Sequence, residues 1–483
     1  MTDINGTQLC DAASLIANSK RFDLIPKVLL ASDVVQLGRP STAHKDLYLR
    51  SIQAFNGFWE DSPRKTTSSN FLDAFTALIA SMQSIGFQTS GDPDRTVYLG
   101  REGEPLNGAH RIAAAAALGL RVPVRVREGA SVPWDWAYFH KHDLRERDSD
   151  YIACQFVHIS PDAQVLLVQP CVPRSLDLEI SRILSMRCKI YYQKEIFVDF
   201  HTFLNLKYIN YARSNAVESW AGNHANDFAG LRVHAESSYG ANPLRAYVLI
   251  ATESDLIRAK SEIRRLVGKG NFAAHSADSR SEVLELAQVL FHRESLDLLR
   301  NRSLLKPDLA VDAAIERLHS LVEQTGQTPQ SFMVGGSATM ALYGLRAAND
   351  VDVLGLRDAT QASGVGVTSH ESELMFYPSA LDELLRSPQS YLWFRGFRFA
   401  SLQLVYDFKS KRREFPKDVR DMLLIESFQQ RDQSGRRALV ALRLKSVQER
   451  TLRAQIGFRR FARRARNQLR VVTRIAEKGM RRL

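Results

Sequence analysis

The sequence predicts a multidomain α/β (α+β) chain, and three observations carry that expectation. Its 483 residues suffice for about three domains of ordinary size. Short apolar runs of strand length alternate with stretches of helical spacing in three separate places, around residues 96–126, from 163 to 299, and at 332–356. Hydrophobic content of 45% and charged content of 24% match folded proteins, which excludes a wholly disordered chain.

A first domain is expected over residues 22–150. Residues 22–30 (FDLIPKVLL) read as a strand, 71–85 carry apolar side chains at helical spacing, and 96–99 read as a short strand. The segment EPLNGAHR, Glu104 to Arg111, then leads into the helix former IAAAAALGL and the strand VPVRV. An Asn-Gly turn with His-Arg opening a helix makes an anion site. Asn107, Gly108, His110 and Arg111 would add donors to the unpaired N–H groups of the first helical turn. The plainer alternative is a capped helix whose Arg111 pairs with a carboxylate. Trp134, Trp136, Tyr138 and Phe139 read as packing aromatics at the domain edge, because no run of basic residues interleaves them as a base-stacking platform requires.

A middle α/β domain is expected over 151–302, with strands at 163–168, 189–200 and 246–250 and helices at 254–267 and 281–299. Two polar clusters stand out in it, 220–227 (WAGNHAND) and 268–278 (GKGNFAAHSAD). The second lies just before a helix, so Lys269, His275, Ser276 and Asp278 form a second candidate site for phosphate or a reacting hydroxyl. Against this stands a capping box from Ser279 and Glu282. Lys269 is not a P-loop lysine, because the GxxxxGK[ST] spacing is absent.

Residues 307–430 centre on FMVGGSATMALYGLRAANDVDVLGL at 332–356. An apolar run at 331–334 breaks at Gly335-Gly336-Ser337, a helix-compatible segment follows, and Asp350 and Asp352 then alternate with Val351 and Val353. That order reads as strand, turn, helix, strand. Two glycines let backbone N–H groups approach a polyphosphate, and Ser337 can cap the helix and donate, so the turn is a phosphate seat. Residues two apart on a strand share a face, so Asp350 and Asp352 present paired carboxylates suited to Mg²⁺ shared with substrate phosphates.

Net charge is +12, but residues 436–483 hold 16 Lys and Arg against Glu449 and Glu477, which is +14 and leaves the rest of the chain at −2. This tail reads as one or two basic helices. Leu452, Ile456, Phe461, Ala465, Leu469, Val472 and Ile475 form an apolar stripe. Such a helix suits an anionic membrane surface; nucleic-acid phosphates and a solvated face of a packed helix are the alternatives. Cys10, Cys154, Cys171 and Cys188 lack CxxC spacing, which argues against a zinc site or disulfide framework. No signal-peptide pattern opens the chain, and its longest apolar run, 112–120, falls far short of the roughly 20 residues that span a bilayer. The expected location is the cytoplasm, peripheral at the inner face of the membrane.

Gly-Gly-Ser followed twelve residues later by DVD resembles the DNA polymerase β superfamily of nucleotidyltransferases, its small bacterial members above all. Residues 397–426, with Lys409, Arg413, Lys417, Asp418 and Asp421, are similar to the helices that close such domains. The resemblance implies that Gly335, Gly336 and Ser337 hold the triphosphate of an NTP and that Asp350 and Asp352 bind two Mg²⁺. A nucleoside monophosphate would pass to an acceptor hydroxyl, with Lys409 and Arg413 offsetting phosphate charge. The family also places a third carboxylate on a later strand; Glu373, in SELMFYP, is the choice, and Glu371 and Asp407 compete with it. Separately, PLNGAHRIAAAAALGLRVPV resembles the ParB/sulfiredoxin-like fold, whose DGxHR-type motif binds nucleotide phosphates. Sulfiredoxins need a cysteine immediately before the His-Arg pair; Ala109 stands here, so sulfinic-acid reduction is not expected, whereas the kinase or nucleotide-switch roles of other members survive.

The expected function is transfer of a nucleotide to a hydroxyl acceptor, and the layout resembles multidomain proteins of bacterial surface-polysaccharide gene sets. Two alternatives are a bifunctional small-molecule or sugar kinase carrying a nucleotidyltransferase, and a nucleic-acid-binding regulatory protein. Release of pyrophosphate, of ADP, or of neither separates the three.

Overall fold

A computed structural model describes residues 7–430, apart from 62–63, 89–95, 101, 212–219, 307, 349, 358–362 and 415; the basic tail, 436–483, lies outside the described residues. The chain is a mixed α/β protein with several small sheets. It divides into two compact units, Met1–Val405 and Tyr406–Leu483, with the boundary inside the helix Leu402–Arg412.

Three sheets organise the first unit. Strand Arg121–Val126 lies between Gln8–Asp11, antiparallel to it, and Val97–Leu99, parallel to it. The middle sheet is wholly antiparallel, in the order Lys189–Ile196, Leu244–Ile250, Ala163–Val168, Ala274–Ser276. All seven residues of Leu244–Ile250 are buried. On one face Leu166, Val168, Tyr247 and Leu249 pack with Ile180 and Leu184 of helix Asp177–Arg187 and Leu256 and Ile263 of helix Glu253–Val267. The third sheet is mixed, in the order Thr368–Ser369, Asp352–Leu354, Met333–Val334, Phe397–Ala400, Tyr391–Phe394. Its last two strands form a hairpin through Arg395 and Gly396, both with positive φ (50° and 81°), the backbone a two-residue type I′ turn needs.

Two elements differ from the sequence expectation. Residues 22–30 are not a strand: they open the helix Leu24–Leu37, in which Leu24, Ile25, Val28, Leu30 and Ala31 are all buried. A helix buried on most sides shows the same unbroken apolar run as a buried strand, and Pro26 is tolerated because it sits in the first turn. The stretch 281–299 is two helices, Arg280–Leu290 and Arg293–Asn301. They part at Phe291 and His292, where the His292 ring stacks on Tyr391 of the third sheet with centroids 5.0 Å apart.

Asp33 ties distant elements together. Its carboxylate accepts from the Ser41 N–H at 3.0 Å and from the Ser41 hydroxyl, pairs with His44 Nδ1 at 2.9 Å, and takes the Arg386 guanidinium from helix Leu381–Arg386. Burial alone would raise its pKa, but His44, Ser41 and Arg386 outweigh that and hold it at about 2. Beside it Glu383 accepts from Arg39 at 2.9 Å and from the Thr42 N–H at 2.8 Å. Among the described residues no helix is long and apolar enough to cross a membrane, and all four cysteines are free.

Candidate functional site

Strands Met333–Val334 and Asp352–Leu354 run antiparallel, pairing Met333 with Leu354 and Val334 with Val353. The first strand turns through Gly335 into the helix Gly336–Leu342. Two hydrogen bonds clamp this turn to the acidic segment: the Gly335 N–H donates to the Asp352 carbonyl, and Ser337 Oγ donates to Asp350 Oδ1, each at 2.8 Å. The alternation of faces is as the sequence indicates, with Val351 and Val353 buried, Asp350 exposed and Asp352 half-buried. Regular strand begins only at Asp352.

Both glycines sit in close quarters. A Cβ at Gly335 would lie 3.0 Å from Tyr377 Oη, and at Gly336, where φ is +57°, it would lie 3.1 Å from Asp352 Oδ2. The Asp352 carboxylate therefore leans against the turn itself. Gly335, Gly336 and Ser337 are buried, leaving the two carboxylates as the accessible edge. The helix behind them has seven residues and no side-chain N-cap bond. A phosphate here would rest on Ser337 and local backbone dipoles more than on a long helix.

The third carboxylate departs from expectation. Glu371 and Glu373 lie on the 3₁₀ helix Glu371–Phe376, not on a strand, because the preceding strand ends after two residues, Thr368–Ser369. Glu371 accepts from the N–H groups of Gly355 (2.6 Å) and Leu356 (3.0 Å) and from the Ser369 hydroxyl, so turn closure occupies it. Asp407 sits on the helix Leu402–Arg412. Among the described residues no group of three or more His, Cys, Asp or Glu is arranged to hold a metal ion. Two carboxylates with substrate phosphate oxygens and water is nevertheless a donor set Mg²⁺ accepts. Sequence reasoning missed Tyr377 and His370, whose Oη and Nδ1 would lie 3.0 and 4.0 Å from a Cβ at Gly335; reading SELMFYP as a strand hid the tyrosine.

In the second unit the expected phosphate-facing Lys409 is an internal brace. Its ammonium lies 3.2 Å from Asp418 and 2.7 Å from Asp421, and Arg412 forks onto Asp418. Burial opposes ionisation of Asp418, but Arg412, the Glu414 N–H and Lys409 together hold its pKa at about 2. The K…KD…D spacing thus joins two helices, Leu402–Arg412 and Lys417–Gln429. Arg413 is exposed, with φ +52° and Nε donating to the Ser410 carbonyl at 2.8 Å.

At the N-terminal motif, Asn107 is used locally: its side chain accepts from the Tyr98 N–H at 2.8 Å and donates to the Thr96 carbonyl at 3.1 Å. Gly108 (φ +70°) begins the nine-residue helix Ala109–Ala117, which has no side-chain N-cap bond. The Arg111 guanidinium folds back over it, within 3.2 Å of where a Gly108 Cβ would stand. His110 packs edge-on against Phe75 and its Nε2 meets Tyr48 Oη at 2.9 Å. Burial, with Lys27 and Lys65 nearby, pushes its imidazole well below the usual range.

The middle loop supplies a cluster that the sequence half revealed. Ser279 caps helix Arg280–Leu290 by accepting from the Glu282 N–H, so the capping expectation is met in part; the Glu282 side chain accepts from the Asp278 N–H at 2.7 Å instead of from Ser279. His275 is buried between Glu282 (2.9 Å) and Tyr211 Oη (3.0 Å). Ser276 pairs with Leu166 in the sheet, Asp278 lies 3.7 Å from Lys260, and Lys269 donates to the Cys171 carbonyl at 3.4 Å. The other polar cluster joins here, for the Trp220 ring lies 5.1 Å from that of His234, which is 5.0 Å from Tyr211. Beneath them is Lys207, fully buried, its ammonium 5.0 and 5.5 Å from the ring centres of Phe203 and Tyr211. It has no hydrogen-bond partner among the described residues. Burial pulls its pKa down to about 7. A lone lysine and asparagines inside FLNLKYINY, an otherwise apolar helix, were the signal.

Comparison with protein-family models, with curated proteins and with solved structures finds no match to this chain.

Proposed function

We propose that the chain is a Mg²⁺-dependent nucleotidyltransferase acting at Gly335, Gly336, Ser337, Asp350 and Asp352. In this reading 307–430 is a domain of the DNA polymerase β type, 22–150 a ParB/sulfiredoxin-like domain that handles a nucleotide phosphate, and 151–302 a middle α/β domain. The observation that supports it is the pair of 2.8 Å hydrogen bonds joining the glycine turn to the two aspartates. They join the glycine turn to the Asp350–Asp352 segment where the adjacent strands Met333–Val334 and Asp352–Leu354 meet it. Asp350 and Asp352 would hold Mg²⁺, which when bound neutralises triphosphate charge and stabilises the departing pyrophosphate. Ser337 orients Asp350 through its hydroxyl, and the close approach of Asp352 Oδ2 to Gly336 keeps the second carboxylate against the phosphates. The acceptor hydroxyl gives its proton to water as its oxygen forms a bond to the α-phosphorus and the bond to pyrophosphate breaks. The basic stretch 436–483 would hold the enzyme at an anionic membrane surface on the cytoplasmic side.

The test is full-length protein with α-labelled NTPs, Mg²⁺ and a fractionated cell extract. Label should move to an acceptor with release of pyrophosphate. Asp352→Asn should keep the parent melting temperature and lose more than the roughly 10–100-fold that removing an outer-shell partner of a metal costs. Undiminished transfer by that variant, or release of ADP in place of pyrophosphate, rejects the reading.

A further inference from the structure

The first unit contains a cleft of 440 Å³ between the N-terminal helices and the segment 378–390 that follows Tyr377. Its volume is in the range that takes a sugar phosphate or a nucleotide. Arg50, Arg145 and Arg147 line one wall. Arg50 and Arg145 each fork onto the same carboxylate, Asp148, through Nε at 2.8 Å and Nη2 at 2.9 and 3.3 Å. One negative charge thus serves two guanidinium groups and holds both in fixed orientation.

Arg147 is different. Among the described residues it makes no ion pair; its neighbour is the neutral Gln389, whose amide oxygen accepts from Nη1 at 3.0 Å when the amide is turned to face it. Burial and the nearby charges of Arg145, Arg50 and Arg293 disfavour its cationic form, with Asp148 opposing them. Positive charge is therefore concentrated at this wall beyond what its carboxylates offset. Asp46 and Glu383 also border the cleft, but Glu383 is already engaged by Arg39 and the Thr42 N–H. The Arg386–Asp33 and Arg39–Glu383 pairs brace the two walls, so the cleft is preformed.

We infer that this cleft binds an organic phosphate, with Arg147 as the principal charge partner and Arg50 and Arg145 flanking it. Planar guanidinium forks match phosphate oxygens two at a time, and a phosphate would bring negative charge to a wall where three guanidinium groups face one paired carboxylate, Asp148, with Asp46 at the border. The inference is independent of nucleotidyl transfer at Asp350 and Asp352.

The experiment is titration calorimetry of the full chain with inorganic pyrophosphate and with ADP, in EDTA so that no metal-dependent phosphate site can contribute. Saturable binding is expected for the parent and for Asp352→Asn. Arg147→Gln should weaken it roughly tenfold or more, the loss expected for one charge-assisted fork, with an unchanged melting temperature; Arg147→Lys, which keeps the charge and loses the fork, should lie between. Absence of saturable binding up to 10 mM, equal binding by Arg147→Gln and parent, loss confined to Asp352→Asn, or equal affinity for citrate would each overturn the assignment.

Discussion

Replacing Lys207 with Met should stabilise the protein, by an amount that depends on pH in a defined way. The amine is fully buried, lies against two aromatic rings, and has no hydrogen-bond partner among the described residues. Burial lowers its pKa from 10.5 to about 7, with Cys171 only partly opposing. Above about pH 10.5 the group is neutral in both folded and unfolded chains and shifts nothing. Between about 10.5 and 7 the unfolded chain binds a proton the folded chain refuses, so stability falls as pH falls, by about 1.4 kcal/mol per unit, and levels off below 7. The accumulated cost at neutral pH is on the order of 5 kcal/mol, and Met fills a similar volume with no charge to desolvate. Denaturant unfolding of both proteins at intervals from pH 6 to 10, with hydrogen exchange to localise the change to the helix Phe200–Tyr211, reads this directly. A gain of several kcal/mol at pH 7 that shrinks to about 1 kcal/mol or less at pH 10 is expected. A difference independent of pH, or a Met variant less stable at pH 7, would refute the account of an unpaired amine. Proteins carry such costs mainly where function needs the group, which makes Lys207 the residue to watch in the helix Phe200–Tyr211.

Acidification should destabilise the protein through its buried histidines. Burial is the largest cause in each, aided by neighbouring charges and in His158 opposed by its hydrogen bond to the Cys154 carbonyl, and it pushes His158 to about 4 and His234 and His292 to about 3; the unfolded chain takes up these protons near 6.5 and the fold does not, so stability is lost progressively from about pH 6.5 toward 4. A melting temperature flat across pH 4–7 would contradict this. Gly336→Ala should cost about 1–2 kcal/mol from its left-handed backbone and displace Asp352 Oδ2, lowering transfer more than stability; a variant with parental activity would show the close approach to be unimportant. For the tail, Phe461→Ser with Leu469→Ser should sharply reduce flotation with anionic vesicles at constant charge, since each Lys or Arg near such a surface contributes only about 1 kcal/mol before screening. Equal flotation, or preferential binding of the parent to RNA, would exclude a membrane role.

The parts legible in the sequence were those in which one short segment carries its own geometry. Asp350 to Val353 shows its two faces through simple alternation, and Gly335-Gly336 marks a turn because a left-handed backbone such as that of Gly336 favours glycine. Residues 22–30 misled because burial on all sides erases the period that distinguishes helix from strand. Glu373 misled because a two-residue strand leaves no pattern, and Lys409 because a lysine paired with two aspartates looks, in sequence, like one awaiting a phosphate. The Arg50, Arg145 and Arg147 wall was not legible as a unit: Arg145 and Arg147 open the helix Glu146–Ile159 while Arg50 lies on the helix Thr42–Asn56, and their convergence is a product of tertiary packing.

The Asp33–Arg386 pair, 353 positions apart in the chain, has a consequence for biosynthesis. A growing polypeptide gains residues at roughly 5–20 per second, so the helices around Asp33 emerge and pack long before Arg386 exists. For that interval the carboxylate has only Ser41 and His44 as partners. The N-terminal region therefore waits on the ribosome in a less braced form, and the clasp is applied from outside near the end of synthesis. A fragment ending at residue 150 would be frozen at that waiting stage, lacking Arg386, Glu383 and also Tyr151, whose hydroxyl meets His44 Nε2 at 3.1 Å. Separately expressed pieces of this protein should be cut with that late closure in mind, keeping residues 381–386 with the helices they fasten.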